Sequence, residues 1–365
     1  MATFVPKCIL ACLLLGIAAA SFGEEPPAVQ VPELWEYSAP LISPEVREVE
    51  PSRAQKDPTV VFFEGKWHVF MTVKLPDRSA IEYCSFERWE DANDAPRYSI
   101  DVSTSNYFCA PQVFFFEPQG KWYLVYQMGV PGSRFMHVAY STTDDISDPE
   151  SWTQAQSMLD GGEDDPRVEG GLDYWIICND EKAFLPATQS GTVPNQWADQ
   201  KAYLFLTNLR GKMWRLSTDL DQFPHGFGDC ELALEAKIFE ASHIYKVEGS
   251  DQYLAIIEEN GRRYLKAYLA DSLDGEWRPL ADTADAPFAG WKNVRPASGV
   301  EAWTDNISHG ELLRTNFDQT PTIDPDNLCL LFQGMYDAHK SGRSYGQFQW
   351  RLGLLRPVEE EESSP

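Results

Sequence analysis

Bases are scarce in this chain: 30 Lys and Arg stand against 56 Asp and Glu, a formal net charge of −26 over 365 residues. A protein that acidic is repelled by nucleic acid and by anionic membranes, so neither is expected as a partner, whereas a neutral ligand is compatible. Cysteine is sparse as well. Beyond residues 1–23 it occurs only at Cys84, Cys109, Cys178, Cys230 and Cys329, an odd number with no CxxC pair. That pattern speaks against zinc and leaves room for one or two disulfides whose pairing the sequence does not fix. Helical periodicity is missing over any useful length. So are long apolar runs after the first 20 residues, and no later segment is long and apolar enough to cross a bilayer.

What is present begins with MATFVPKCILACLLLGIAAASFGEE, which joins Lys7 to an apolar run from Cys8 to about Ala20 and then to small residues before Glu24. This is the make-up of a secretory signal peptide over residues 1–23, and it places the mature protein outside the cell. Residues 24–51 are rich in Pro and Glu, with Trp35 as the one large anchor, and read as an extended arm. Residues 52–357 read as one domain, and 358–365 as an acidic, disordered tail. Asn306-Ile307-Ser308 is a glycosylation sequon, relevant in a eukaryotic source.

The domain is organised around a repeated hairpin. Asp57 to Thr72, DPTVVFFEGKWHVFMT, is an acid followed by an apolar run, a turn at Glu64-Gly65-Lys66 and a second run led by Trp67. The pattern returns as APQVFFFEPQGKWYLVYQ from Ala110, LDYWIICNDEKAFL from Leu172, EASHIYKVEGSDQYLAIIE from Glu240, and ISHGELLR from Ile307 with its later partner NLCLLFQG. Heads at Asp57, Ala110, Asp173, Glu240 and Ile307 are spaced 53, 63, 67 and 67 residues apart. Blades of four strands take roughly 40–50 residues, and longer loops stretch that period. The expectation is an all-β, five-bladed β-propeller whose last apolar run, WRLGLL, closes the ring against the N-terminal segment. Between Phe184 and Gln200 an insertion interrupts the third hairpin, and its Trp197 is either a ligand contact or a loop anchor.

In a propeller the inner strands converge on one axis, so the heads converge too, and three of them are carboxylates: Asp57, Asp173 and Glu240. Two carboxylates flanking a sugar are the minimum for glycoside hydrolysis, one protonating the leaving oxygen and one activating water or attacking carbon. A third acid nearby raises the pKa of the proton donor.

The ordered set KDPTVVFFEGKWHVF, YFCAPQVFFF, KWYLVYQ, AYSTTDDISDP, STDLDQFPHGF, FEASHIYK, ADSLDG, ISHGEL and RLGLL resembles glycoside hydrolase family 62, from about Gln55 to Arg356. The resemblance implies an inverting α-L-arabinofuranosidase, related to family 43, that acts as a monomer on arabinoxylan. It implies Asp57 as general base, Asp173 as the acid that tunes and orients the donor, and Glu240 as general acid. It further implies Lys56 as an arabinose contact, the alternative being an exposed salt bridge, and Tyr345 as a ring at the pocket mouth. His309 matches the histidine of an axial calcium site, or is otherwise a core histidine. One imidazole suits a hard cation poorly, so that calcium is expected to be structural or weakly held, with no part in the chemistry. Glu311 is a rival acid in the same motif, where a helper or a cap is the commoner role. Gly346, Phe317 and Asn179 stand where the family has other residues, which bears on recognition of the xylan chain.

Two other classes remain beside this one. A family 43-like β-xylosidase or arabinanase would share the three acids in a differently shaped site. A non-catalytic carbohydrate-binding propeller would tend to repeat one motif in every blade. The WMNDPNG-type opening of retaining, invertase-like propellers is absent.

Overall fold

The computed structural model describes residues 28–129, 131–133, 136–162, 165–179 and 200–358. Residues 1–23, read from the sequence as a signal peptide, the tail from residue 359 and the insertion around Trp197 lie outside the described residues. Each hairpin seen in the sequence is the inner half of an antiparallel sheet. Blade one is Ala54–Phe63, Lys66–Lys74, Ser79–Phe86 and Tyr98–Ser99. Its first turn has two residues, Glu64 and Gly65, at φ 49° and 80°. Two central residues with positive φ make the type I′ turn that matches strand twist, and the second of them needs glycine's freedom. Blade two is Phe108–Phe116, Lys121–Gly129, Met136–Thr143 and Gln156–Ser157. Blade three is Leu172–Cys178, Lys201–Thr207, Lys212–Asp219 and Glu231–Glu235, so KAYLFLT pairs directly with LDYWIIC across the insertion. Blade four is Glu240–Val247, Tyr253–Glu259, Tyr264–Ala270 and Arg278–Ala281.

Blade five closes the ring. Ser308–Leu312, Leu330–Gly334 and Arg351–Pro357 continue into Trp35–Tyr37 from the N-terminal arm, with Trp35 opposite Pro357 and Tyr37 opposite Leu355. Trp35 is fully buried and its Nε1 donates to Phe288 O at 2.7 Å, which satisfies the one polar atom of a large apolar anchor. Apolar faces of adjacent blades fill every junction. Val61, Phe70 and Tyr83 meet Phe108, Val113 and Leu124, and Val60, Val69 and Cys84 meet Leu331, Leu352 and Leu354 where the last blade meets the first. All five described cysteines are free thiols set in different sheets or loops, so burial of apolar surface rather than a disulfide holds the ring.

One device recurs at every junction. Each inner strand carries a bulge just inside its head, between Lys56 and Thr59, Cys109 and Gln112, Leu172 and Trp175, Glu240 and His243, and Ser308 and Gly310. In the first four blades a non-glycine residue sits there in the left-handed region: Asp57 at φ 47°, Ala110 at 50°, Asp173 at 54° and Ala241 at 60°. Such a conformation costs about 1–2 kcal/mol and persists only where neighbours hold it. The holder is the second strand of the preceding blade. Ala110 N donates to Thr72 Oγ1 at 2.8 Å, Asp173 N to Gln127 Oε1 at 2.8 Å, His309 N to Glu258 Oε2 at 2.6 Å and Asp57 N to Gln333 Oε1 at 2.8 Å.

Candidate active site

A bulge puts an extra residue on one strand and re-aims the side chains around it. Here it turns Asp57 and Asp173 toward the axis at the same end of the ring. Glu240 differs from the sequence expectation by one place. The bulge residue of blade four is Ala241, and Glu240 occupies the position before it, equivalent to Lys56 of blade one. In blade five the equivalent of Asp57 is His309, two residues beyond Ile307. Apolar alternation does not mark a bulge, because the extra residue shifts the phase by one without changing the run of side-chain types.

The structure brings five of the six predicted site residues into explicit contact and joins Glu240 to them through the backbone. His309 Nδ1 lies 3.4 Å from Asp57 Oδ1 and 4.0 Å from Asp173 Oδ2. Lys56 Nζ lies 3.4 Å from Asp57 Oδ2 and 3.2 Å from the Tyr345 hydroxyl, 4.9 Å from the centre of its ring. Lys56 is thus a sequestered cation beside Asp57 rather than an exposed salt bridge. Asp173 Oδ2 accepts a hydrogen bond from Ala241 N at 3.0 Å, which ties it to the residue following Glu240. At that junction Asp173 replaces the ordinary holder. Thr207, the counterpart of Thr72, is buried, and its hydroxyl has no partner.

Two residues that the sequence analysis passed over complete the site. Arg263 Nη1 donates to Glu240 Oε1 at 2.7 Å and also contacts Glu258 Oε1, while Glu258 is wholly buried directly across the sheet from Glu240. The signal for Glu258 is the acid pair that ends the apolar run YLAIIEE. Counting back from the turn at Gly249 with one bulge sets its first acid opposite Glu240.

The electrostatics divide the carboxylates. Burial pushes Asp57 up, but the Lys56 ammonium, with His309 and the Thr72 hydroxyl, outweighs it and holds the carboxyl below its ordinary range. Burial also works against the charge on Lys56, and Asp57 more than restores it. Glu240 is pushed up to about 7 by burial and then by the Glu258 carboxylate, against the pull of Arg263. Asp173 is raised well above the usual carboxylate range, by burial first and then by Glu240 and Asp57. Burial lowers His309, so it is neutral near pH 7. One carboxylate is therefore ionised at neutral pH while Glu240 and Asp173 retain a proton between them.

A cavity of about 130 Å³ opens beside Lys56, lined by Tyr107, Cys109, Tyr345 and Gly346 among others. A groove of about 720 Å³ meets it at Tyr107 and runs past Leu172, next to Asp173, to Met136 and Leu209. Other expected residues lie elsewhere. Glu311 is fully buried, 2.7 Å from Arg314 Nε, and lines neither the cavity nor the groove. Phe317 packs on Phe63 and Trp122 at the turn end of the inner strands, remote from the acids, so a missing hydroxyl there touches no sugar. Asn179 also lies at the far end of its hairpin, where its Oδ1 accepts from Lys201 N at 2.7 Å. Calcium takes six to eight oxygen ligands. The carboxylate oxygens facing His309 Nδ1 belong to Asp57 and Asp173, and among the described residues no three His, Cys, Asp or Glu side chains are arranged to hold a metal. A calcium ion at His309 would therefore have to take most of its ligands from water.

A five-bladed ring whose clustered side chains include one carboxylate held ionised, Asp57, and one raised to about 7, Glu240, carries the pair of groups that glycoside hydrolysis requires. The chain belongs to glycosyl hydrolase family 62, whose sequence model matches residues 47–194 and 188–356. It is 36% identical over 338 residues to alpha-L-arabinofuranosidase C of Cellvibrio japonicus (strain Ueda107), a match covering 90% of this chain and 48% of that one. The chain thus spans about half the length of that curated relative. The catalytic domain of a family 62 α-L-arabinofuranosidase from Coprinopsis cinerea superposes with a TM-score of 0.77 at 34% identity, over 90% of this chain and 98% of that one. An α-L-arabinofuranosidase from Podospora anserina, solved with cellotriose, gives 0.77 at 31% identity with the same coverage, 90% and 98%. A thermostable family-43 glycoside hydrolase, 15% identical with a TM-score of 0.51 over 88% of this chain and 94% of that one, shares the fold alone.

Proposed function

We propose that this protein is a secreted α-L-arabinofuranosidase that removes arabinosyl side chains from arabinoxylan with inversion at the anomeric carbon. The observation that carries the proposal is the opposite poise of Asp57 and Glu240, one held ionised by Lys56 and the other raised to about 7. Asp57 takes a proton from water as the water oxygen bonds to the anomeric carbon. The bond from that carbon to the xylosyl oxygen breaks, and Glu240 delivers its proton to the departing oxygen. Asp173 fixes Glu240 through the Ala241 N–H and shares its proton. Lys56 and Tyr345 bind the arabinosyl ring beside the base, and Gly346 leaves the pocket mouth open. The support is the family membership, the arabinofuranosidases among the relatives that match most of this chain, and the constellation itself.

Proton NMR of arabinose released from arabinoxylan tests the mechanism: inversion yields the β-furanose first, and an α product would overturn it. Glu240→Gln is expected to abolish release from the polymer in a folded protein, and wild-type turnover in that variant would remove Glu240 from the role. Sequencing the N-terminus of protein recovered from culture medium tests the signal peptide; an intact Met1 or an absence from the medium would contradict secretion.

A further inference from the structure

Five positions on the second strands face the heads of the inner strands: Thr72, Gln127, Thr207, Glu258 and Gln333. Four of them accept a backbone N–H from the next blade, and at three of those four a neutral side chain does it. Gln127 and Gln333 show that a glutamine suffices. Only blade four carries a charge there, and only blade four carries Glu240. Carboxylates directly opposite each other on paired strands repel, so the fold alone gives no reason for Glu258. Its Oε2 does the structural work, accepting from His309 N at 2.6 Å and Ser308 Oγ at 2.9 Å. Its Oε1 is spent on Arg263, whose same nitrogen reaches Glu240 at 2.7 Å.

We infer that Glu258 is a positioning residue for the proton donor: it holds the Arg263 guanidinium as its own counter-ion, so that Arg263 orients Glu240 without claiming its charge. The inference rests on Glu240 being the general acid. Arg263 paired with Glu240 alone would keep that carboxylate ionised, which a proton donor cannot be. With Glu258 fully buried beside it, the guanidinium is already neutralised, and the Glu240 oxygen receives a directed hydrogen bond. The charged and titratable groups around Glu240 come from four blades: Glu258 and Arg263 of its own, Asp173, Asp57, and from blade five His309 and Tyr345. Lys56 stands beyond Asp57. Glu258 is the one of these carboxylates that shares a donor atom with Glu240.

The test compares pH profiles of kcat/KM on phenyl and 4-nitrophenyl α-L-arabinofuranoside, since the second leaving group needs far less proton assistance. Glu258→Gln keeps an oxygen for His309 N, as Gln127 and Gln333 do, and removes only the charge. Its alkaline limb is expected to fall by about one pH unit or more, because an unshared cation at this range lowers a carboxyl by about 1–3 units. At pH 7 the phenyl substrate should then lose about tenfold more than the nitrophenyl one, and Glu258→Asp should recover most of the limb. A folded Glu258→Gln with the wild-type limb, or with equal losses on both substrates, would reduce Glu258 to a blade fastener. Should that variant not fold, Arg263→Gln gives the converse, an alkaline limb moved upward, and an unmoved limb overturns the inference. Failure of the underlying reading looks different, because Glu240→Gln would then retain the phenyl activity whatever Glu258 does.

Discussion

The junction between blades one and two and the junction between blades three and four are built on one register and held by different atoms. In the first, Thr72 accepts the strained N–H of Ala110. In the second, the equivalent threonine, Thr207, is idle, and Asp173 reaches across to hold Ala241. The fastening role has passed from a neutral scaffold residue to a member of the carboxylate cluster. Where the ring carries only structure, backbone and site are separate. Where it carries Glu240, the proposed proton donor, a buried carboxylate of the cluster also fixes the strand, so the charge and the geometry of Asp173 cannot be altered independently.

The largest effect should come from making blade one resemble blade two. Asp57→Ala reproduces the left-handed alanine of position 110, so the protein should fold while kcat falls by about 10²- to 10⁴-fold. A kinetic assay beside a thermal melt checks both halves, and near-normal turnover would remove Asp57 as the base.

A smaller effect concerns stability and pH. Glu240 is raised from an ordinary 4.5 to about 7, so between those values the folded state holds a proton that the unfolded chain has released. Stability from this group is complete below pH 4.5 and is lost as pH rises toward 7, at about 1.4 kcal/mol per unit of displacement. Glu240→Gln should therefore lose less stability than wild type between pH 5 and pH 8 in denaturant melts. Equal losses would mean that Glu240 is not raised.

The smallest effects divide the two junctions most sharply. Thr72→Val leaves the Ala110 N–H buried without an acceptor and should cost about 1–3 kcal/mol. Thr207→Val removes a hydroxyl that has no partner and should leave the unfolding midpoint unchanged or raise it. Equal destabilisation by both substitutions would show that Thr207 holds its junction after all.

The propeller was legible because hairpins are local. Turn residues and alternating apolar runs mark each copy, and even the closing strand WRLGLL could be read before its partner was known. The site was legible only in part. Asp57 and Asp173 declared themselves as acids at the heads of apolar runs. Glu240 was found through a neighbouring register, since a bulge leaves no mark in residue types. Arg263 was hidden because it follows a turn, in NGRRY, where exposed bases are ordinary. The consequence of Phe317 could not be read either: a ring in a loop is apolar whether it faces a sugar or, as here, another phenylalanine.

The closing of the ring by Trp35–Tyr37 on Arg351–Pro357 has a consequence for the order of events during synthesis. The four antiparallel strands of each of blades one to four follow one another in the chain, so they can pair as soon as their own sequence has left the ribosome. Blade five cannot, because its third strand, Arg351–Pro357, follows the other strands of the ring in the chain while its fourth, Trp35–Tyr37, precedes them. His309, Gln333 and Tyr345 all come from that late segment. A nascent chain can thus hold most of its scaffold and both aspartates and still lack the assembled cluster, which arrives in one step when Arg351–Pro357 pairs with its two neighbours.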